Sequence, residues 1–166
     1  RMETFVRALN LEALEDANRK VDRCLRAGAL AVGARVVIET MPGYLPLEQN
    51  PDLVKIFKAN AVGLVGEEGY RDLPPTQAST DAGDLSHILP VLHPSAGGAA
   101  GQIHGADFRI ADPELAYVIP AKAMAMTVVD LLAGGAALAR QVKANFRPKL
   151  TKSQYLESMG RLFSTQ

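Results

Sequence analysis

The thirty residues 79–108, STDAGDLSHILPVLHPSAGGAAGQIHGADF, constrain this chain more than any other part. They gather all three histidines, the aspartates Asp81, Asp84 and Asp107, and a glycine-rich run at Gly97, Gly98 and Gly101, between two segments that read as ordinary helices. The stretch reads as mostly loop, with one short helix around 85–89 and a short strand near 91–93. Loops are where function concentrates, because a rigid scaffold aims their side chains without packing them away. Chemistry in this chain is expected here.

The totals set wide bounds. With 166 residues and 48% hydrophobic composition, the chain can build one domain of common size or two small ones. Eighteen basic residues balance eighteen acidic ones, so no net field draws in nucleic acid or an anionic membrane, and a small neutral or zwitterionic partner is expected. A single cysteine, Cys24, excludes an internal disulfide framework and fits a reducing compartment, so the expected location is cytoplasmic. Cys24 falls on the apolar side of its helix and reads as core. No apolar run is expected to reach the roughly 18 to 20 residues of a membrane span. The chain opens on Arg1, inside what reads as a strand, so residues upstream are expected.

Residues 2–9 alternate Phe5, Arg7 and Leu9 with Thr4, Val6 and Ala8, the period of a strand. Asn10 caps a helix from Leu11 to about Leu30, acidic in its first half and basic in its second. Gly33 ends it, and RVVIET at 35–40 reads as another strand. MPGYLPLEQN at 41–50 marks a domain crossing. Asn50-Pro51 then starts a helix with Leu53, Phe57, Ala61 and Leu64 on one face. Pro120 opens a long helix whose expected core face is Met124, Val128, Leu131 and Leu132, with an end or kink at Gly134-Gly135. Thr151 with Gln154 forms a capping box for a last helix.

His87, His93 and His104 with the aspartates are residue types that hold zinc or similar ions. Their spacing is no known tight pair, and a second reading has His87 and His93 capping turns or hydrogen-bonding behind a site. His104 stands apart, because Gly101 before it and Gly105 after it leave room for a ligand near the backbone. Gly97 and Gly98 either let a substrate carbonyl meet backbone N–H groups or make a plain tight turn. Arg7, between apolar strand neighbours, either meets an anionic partner or reaches solvent at a sheet edge.

A strand-helix-strand unit, then PGYLP, then STDxGDxS, then GGxxGxxHGADF, then AYVxPAKAMA, resembles the C-terminal half of the metal-dependent amidohydrolase and aminoacylase family of metallopeptidases. That family also holds aminobenzoyl-glutamate hydrolase, succinyl-diaminopimelate desuccinylase and glutamate carboxypeptidase. The resemblance covers the chain to about Ala144 and is most specific from Ser79 to Ala125. It implies an α/β fold: part of a zinc-peptidase-like catalytic domain of mixed sheet and flanking helices at 44–166, and part of an inserted α+β lid or dimerisation domain at 1–43. It also implies that His104 is a metal ligand, that Arg7 binds a substrate carboxylate, that Gly97 and Gly98 face the substrate, and that Asp84 and His87 stand behind the site. The sequence departs from many members at Gly83-Asp84-Leu85, where Glu-Asp-Phe is common.

The family's other metal ligands and its general-base glutamate have no counterpart in these 166 residues. The expectation is therefore a fragment, inactive alone, of a two-metal, zinc-dependent hydrolase of amide bonds in N-acyl amino acids or dipeptide-like substrates. The alternative is a truncated, non-catalytic relative that serves as an assembly module. A third reading, a complete local zinc site at His87, His93 and His104, is kept as a contrast. Half a lid leaves strand edges and helix faces uncovered, so a homodimer or association with a missing N-terminal half is expected, through residues 4–9 or the helix after them.

Overall fold

The computed structural model describes residues 1–165. Helix α1, Leu11–Ala31, begins as its sequence predicts: Asn10 is extended, and its side-chain oxygen accepts the Ala13 N–H at 2.8 Å. Its covered stripe runs through Leu14, Ala17, Val21, Leu25 and Ala29, the three-and-four spacing of an amphipathic helix. Two positions correct the expected face. Cys24 is exposed, and Asp22 is buried in its place, because the covered stripe lies one position round the helix from the cysteine.

Strands are few and short among the described residues. Glu39–Thr40 (β1) pairs antiparallel with Ser164–Thr165 (β4), and Ala99–Ala100 (β2) with Arg109–Ile110 (β3). The strands expected at 2–9 and 91–93 form no ladder, and the one expected at 35–40 shrinks to its last two residues. Alternating hydrophobicity marks a segment fit to be a strand, but a partner edge must be present for a ladder to form. Around 91–93 the hydrogen bonds are single ones: Asn50 N–H donates to the Val91 carbonyl, and His93 N–H to the Gln49 side chain, both at 2.8 Å.

Helix α2, Pro51–Val65, carries proline in its first turn and is capped by the Asn50 side chain, which accepts the Leu53 N–H at 3.0 Å. Its predicted face holds: Leu53, Phe57 and Ala61 are buried, and Leu64 packs against the same cluster. The short helix α3 spans Asp81–Ser86, four residues earlier than expected, with a turn continuing to Leu89 through bonds to the Leu85 carbonyl.

A π-helical turn at Glu114–Val118 leads into α4, Ile119–Asn145, with Pro120 in its first turn. Ala133, Gly134, Gly135 and Ala136 leave helical dihedrals, the last three at φ between 55° and 68°, so the interruption expected at the paired glycines is present. The core face is not the expected one. Ala123 and Thr127 are the buried positions, whereas Met124, Val128 and Leu132 are 39%, 49% and 63% exposed. By length and composition Glu114–Asn145 is also apolar enough to cross a membrane, which corrects the expectation that no segment is. Helix α5, Lys152–Leu162, has the predicted capping box: Thr151 accepts the Gln154 N–H, and Gln154 accepts the Thr151 N–H.

The chain forms two compact units interleaved along the sequence. One holds Arg1–Glu48, Pro74–Leu89 and the chain from Pro148 onward; the other holds Gln49–Leu73 and Pro90–Arg147. In the second unit, Phe57, Ala61 and Ala123 form the centre of the core, with Tyr70 and Leu92 against it. Beside them Asn60 donates to Thr127 Oγ1 at 3.3 Å and to Asp130 Oδ2 at 2.7 Å, joining α2 to α4 by polar pins.

Candidate functional site

In the first unit, the motif STDAGDLSH folds back on the motif PGYLPLE. The Asp84 carboxylate accepts the Leu45 N–H at 2.8 Å, and Ser86 Oγ accepts the Glu48 N–H at 3.1 Å while donating to the Gly83 carbonyl at 2.6 Å. His87 Nε2 lies 2.9 Å from the Pro46 carbonyl. A carbonyl can only accept, so Nε2 carries a proton and donates, which leaves Nδ1 as the other polar atom of the ring. That Nδ1 is buried and without a hydrogen-bond partner among the described residues. The ring is wholly buried, and the His87 carbonyl accepts both the Lys149 and Leu150 N–H groups at 3.0 Å.

The glycine in this motif has a steric cause. A Cβ on Gly83 would stand 2.0 Å from the Leu45 carbonyl oxygen, so the two segments meet this closely only without a side chain there. Asp84, Ser86 and His87 thus clamp 45–48 onto α3. Ser86 was not among the residues expected to matter, and nothing local in the sequence points to it, because its partner lies 38 positions away.

In the second unit, His104 sits at the tip of a tight turn with φ of 65°, the left-handed region that L-residues enter at a cost. It is exposed, with Gly105 N–H bonded to the Gln102 carbonyl at 2.7 Å just beyond it. Glycines shape this loop: a Cβ at Gly101 would stand 2.4 Å from the Asp107 carbonyl oxygen, and one at Gly105 would stand 2.5 Å from Asp107 Oδ1. Gly98, at φ 84°, is closed in by the Asp112 carbonyl and Ala116, and its own carbonyl accepts the Ala111 and Asp112 N–H groups. Gly97 is exposed with open space around it.

Among the described residues, no three His, Cys, Asp or Glu side chains gather as a metal would require. His87 belongs to the first unit and His93 and His104 to the second. A zinc site takes three or four donors, so these residues do not by themselves fit the metal implied by the resemblance. His104 offers one exposed donor.

Arg7 lies in a different setting. The first unit contains a cleft of about 520 Å³ lined by Arg7, Phe5, Tyr44, Asp84, Tyr155 and Met159, among others. The Arg7 guanidinium stacks over the Phe5 ring at 5.6 Å, and no carboxylate among the described residues forms an ion pair with it. The Tyr155 phenol is held above its ordinary range, first by burial, then by the negative charge of Asp84 and a hydrogen bond to it. Tyr155 and Met159, from α5, were not among the expected site residues, and Met159 was expected only as part of the helix's apolar face; the final helix carries no motif that announces a site.

With this geometry in place, comparison with known proteins gives one direction. The chain is 29% identical over 176 aligned residues to Xaa-Arg dipeptidase of Mus musculus. It is 26% identical over 165 residues to Xaa-Arg dipeptidase of Homo sapiens. This chain is distantly similar to peptidases. Each alignment covers 93% of this chain but 37% of the relative, so the chain spans little more than a third of their length. No family model matches the chain. No solved structure matches it either.

Proposed function

We propose that this chain is the C-terminal part of a metal-dependent hydrolase of amide or peptide bonds in dipeptide-like or N-acyl amino acid substrates. The observation that carries this reading is the similarity to Xaa-Arg dipeptidases along 93% of the chain. In this reading His104 is one donor to a zinc ion whose other donors lie outside these residues, and residues 1–43 belong to a lid whose Arg7 receives the substrate carboxylate. Gly97 and Gly98 lie along the substrate's path, and the Asp84 and His87 clamp holds the wall of the Arg7 cleft. The protein works in the cytoplasm as a homodimer or joined to its N-terminal half.

The experiment is to express the chain with the residues its gene encodes upstream, load it with zinc, and follow dipeptide hydrolysis. Turnover that falls at least 100-fold in His104→Ala, while the fold persists, supports the reading; equal turnover in both forms overturns it. A second reading, a non-catalytic assembly module, is favoured by the exposed row Met124, Val128 and Leu132 on α4. It predicts a stable complex without turnover.

A further inference from the structure

Between Ile119 and Leu132, the part of α4 before its break, only Lys122 and Asp130 are charged, and both have partners. Lys122 pairs with Glu114 at 3.6 Å, and Asp130 accepts the Asn60 amide of α2 at 2.7 Å. At about 100° per residue, Ala121, Ala125, Val128, Val129 and Leu132 fall on the half of the helix opposite the buried Ala123 and Thr127. All five are exposed and none is polar. A helix that is apolar on both sides belongs in an interior, yet α2 covers only one side of this one.

The choice of cover follows from what else the helix carries. A bilayer is disfavoured by Glu114, Lys122 and Asp130 along one helical run, and by the break at 133–136, where the backbone leaves the helix. A longer polypeptide fits better. The Xaa-Arg dipeptidases match 93% of this chain with 37% of their own length, so a protein of their size has more than half of its residues outside this region. That much chain builds an interior able to take a helix on both sides, whereas the core here, at Phe57, Ala61 and Ala123, lies wholly on the inner side.

We propose that the outer face of α4 is the docking surface for the remaining part of such a longer polypeptide, which lays an apolar sheet or helix face over Ala125, Val128, Val129 and Leu132. This contact is distinct from residues 4–9 and α1. The inference rests on the reading of this chain as part of a longer hydrolase for the identity of its partner, but its test reads coverage of α4 and not turnover.

The test is thiol labelling. With Cys24→Ser as background, Val128→Cys and Val129→Cys are made singly, in the 166-residue chain and in the polypeptide that includes the residues its gene encodes upstream. Maleimide should react freely in the short chain and at least about tenfold more slowly in the longer one, unchanged on dilution. Equal rates, or a gene that encodes no further residues, overturn the proposal. Slowing that is lost on dilution assigns the face to a second copy, and slowing only with phosphatidylcholine vesicles assigns it to a membrane; either overturns the proposal as well. Should the cysteine variants fail to fold, Val129→Asp decides: it should leave the unfolding midpoint of the short chain unchanged and lower that of the longer protein, and equal effects on both overturn the proposal. Protection without dipeptide hydrolysis would sink the catalytic reading and leave the docking surface standing; hydrolysis with free labelling would do the reverse.

Discussion

Two regions of this chain share a composition and differ in what the fold does with it. Both the 79–89 segment and the 98–107 loop are built from glycine, histidine and aspartate. In the first, the histidine is wholly buried and the aspartate and serine are tied to backbone groups of 45–48. In the second, the histidine is exposed at a left-handed turn. Glycine has a different duty in each: at Gly83 it admits another segment's carbonyl, whereas at Gly101 and Gly105 it lets one loop close on itself. The lesson is that a density of polar residues marks a place where backbone segments meet closely. Burial and satisfied hydrogen bonds then separate a clamp from a presented ligand.

Substitutions can break or sharpen that contrast. Gly83→Ala should have the largest effect, because its Cβ would meet a backbone oxygen at 2.0 Å. A loss of about 3 kcal/mol or more, or failure of the first unit to fold, is expected in chemical denaturation, since overpacking against backbone has little room to relax. His87→Ala comes next, expected to cost about 2–4 kcal/mol, for it empties a buried ring's volume and leaves the Pro46 carbonyl without its donor. A His87→Ala protein as stable as the unsubstituted chain would remove the distinction between the two regions.

His104→Gly should lie between no change and a gain of about 1 kcal/mol, because glycine relieves the left-handed strain but loosens the unfolded chain. Equal costs for His87→Ala and His104→Gly would again dissolve the contrast. The smallest effect concerns alkaline pH. With the Tyr155 phenol raised in the folded state, the folded chain binds more protons than the unfolded one once pH exceeds the ordinary tyrosine value of 10.0. Stability from this group is therefore present below that pH and lost as pH rises through the folded value; Tyr155→Phe should flatten the decline seen in pH-dependent unfolding.

What the sequence disclosed divides along physical lines. Helix starts were legible, because caps act within three or four residues: Asn10, Asn50 and Thr151 all perform the expected bonds. The break at Gly134-Gly135 was legible for the same local reason. The strands at 2–9 and 91–93 were misjudged, since ladders depend on distant partners. At the candidate site, the glycines beside His104 suggested open space near its backbone, but its left-handed turn was not read from them. The tie between Asp84 and Leu45, 39 positions apart, and the arrival of Tyr155 in the cleft could not be read.

The helix face turned inward by α4 has a consequence of its own. Ala123 and Thr127 are small, and small side chains let two helix axes approach closely where methionine or valine would hold them apart. Asn60 then reaches across to Thr127 and Asp130. Turning α4 by one residue, about 100°, would wedge bulk into that narrow seam and strand the Asn60 amide. The pair of helices therefore has a lock as well as a fit, and the oily row on the outer side of α4 is kept there by its neighbours' size and polarity.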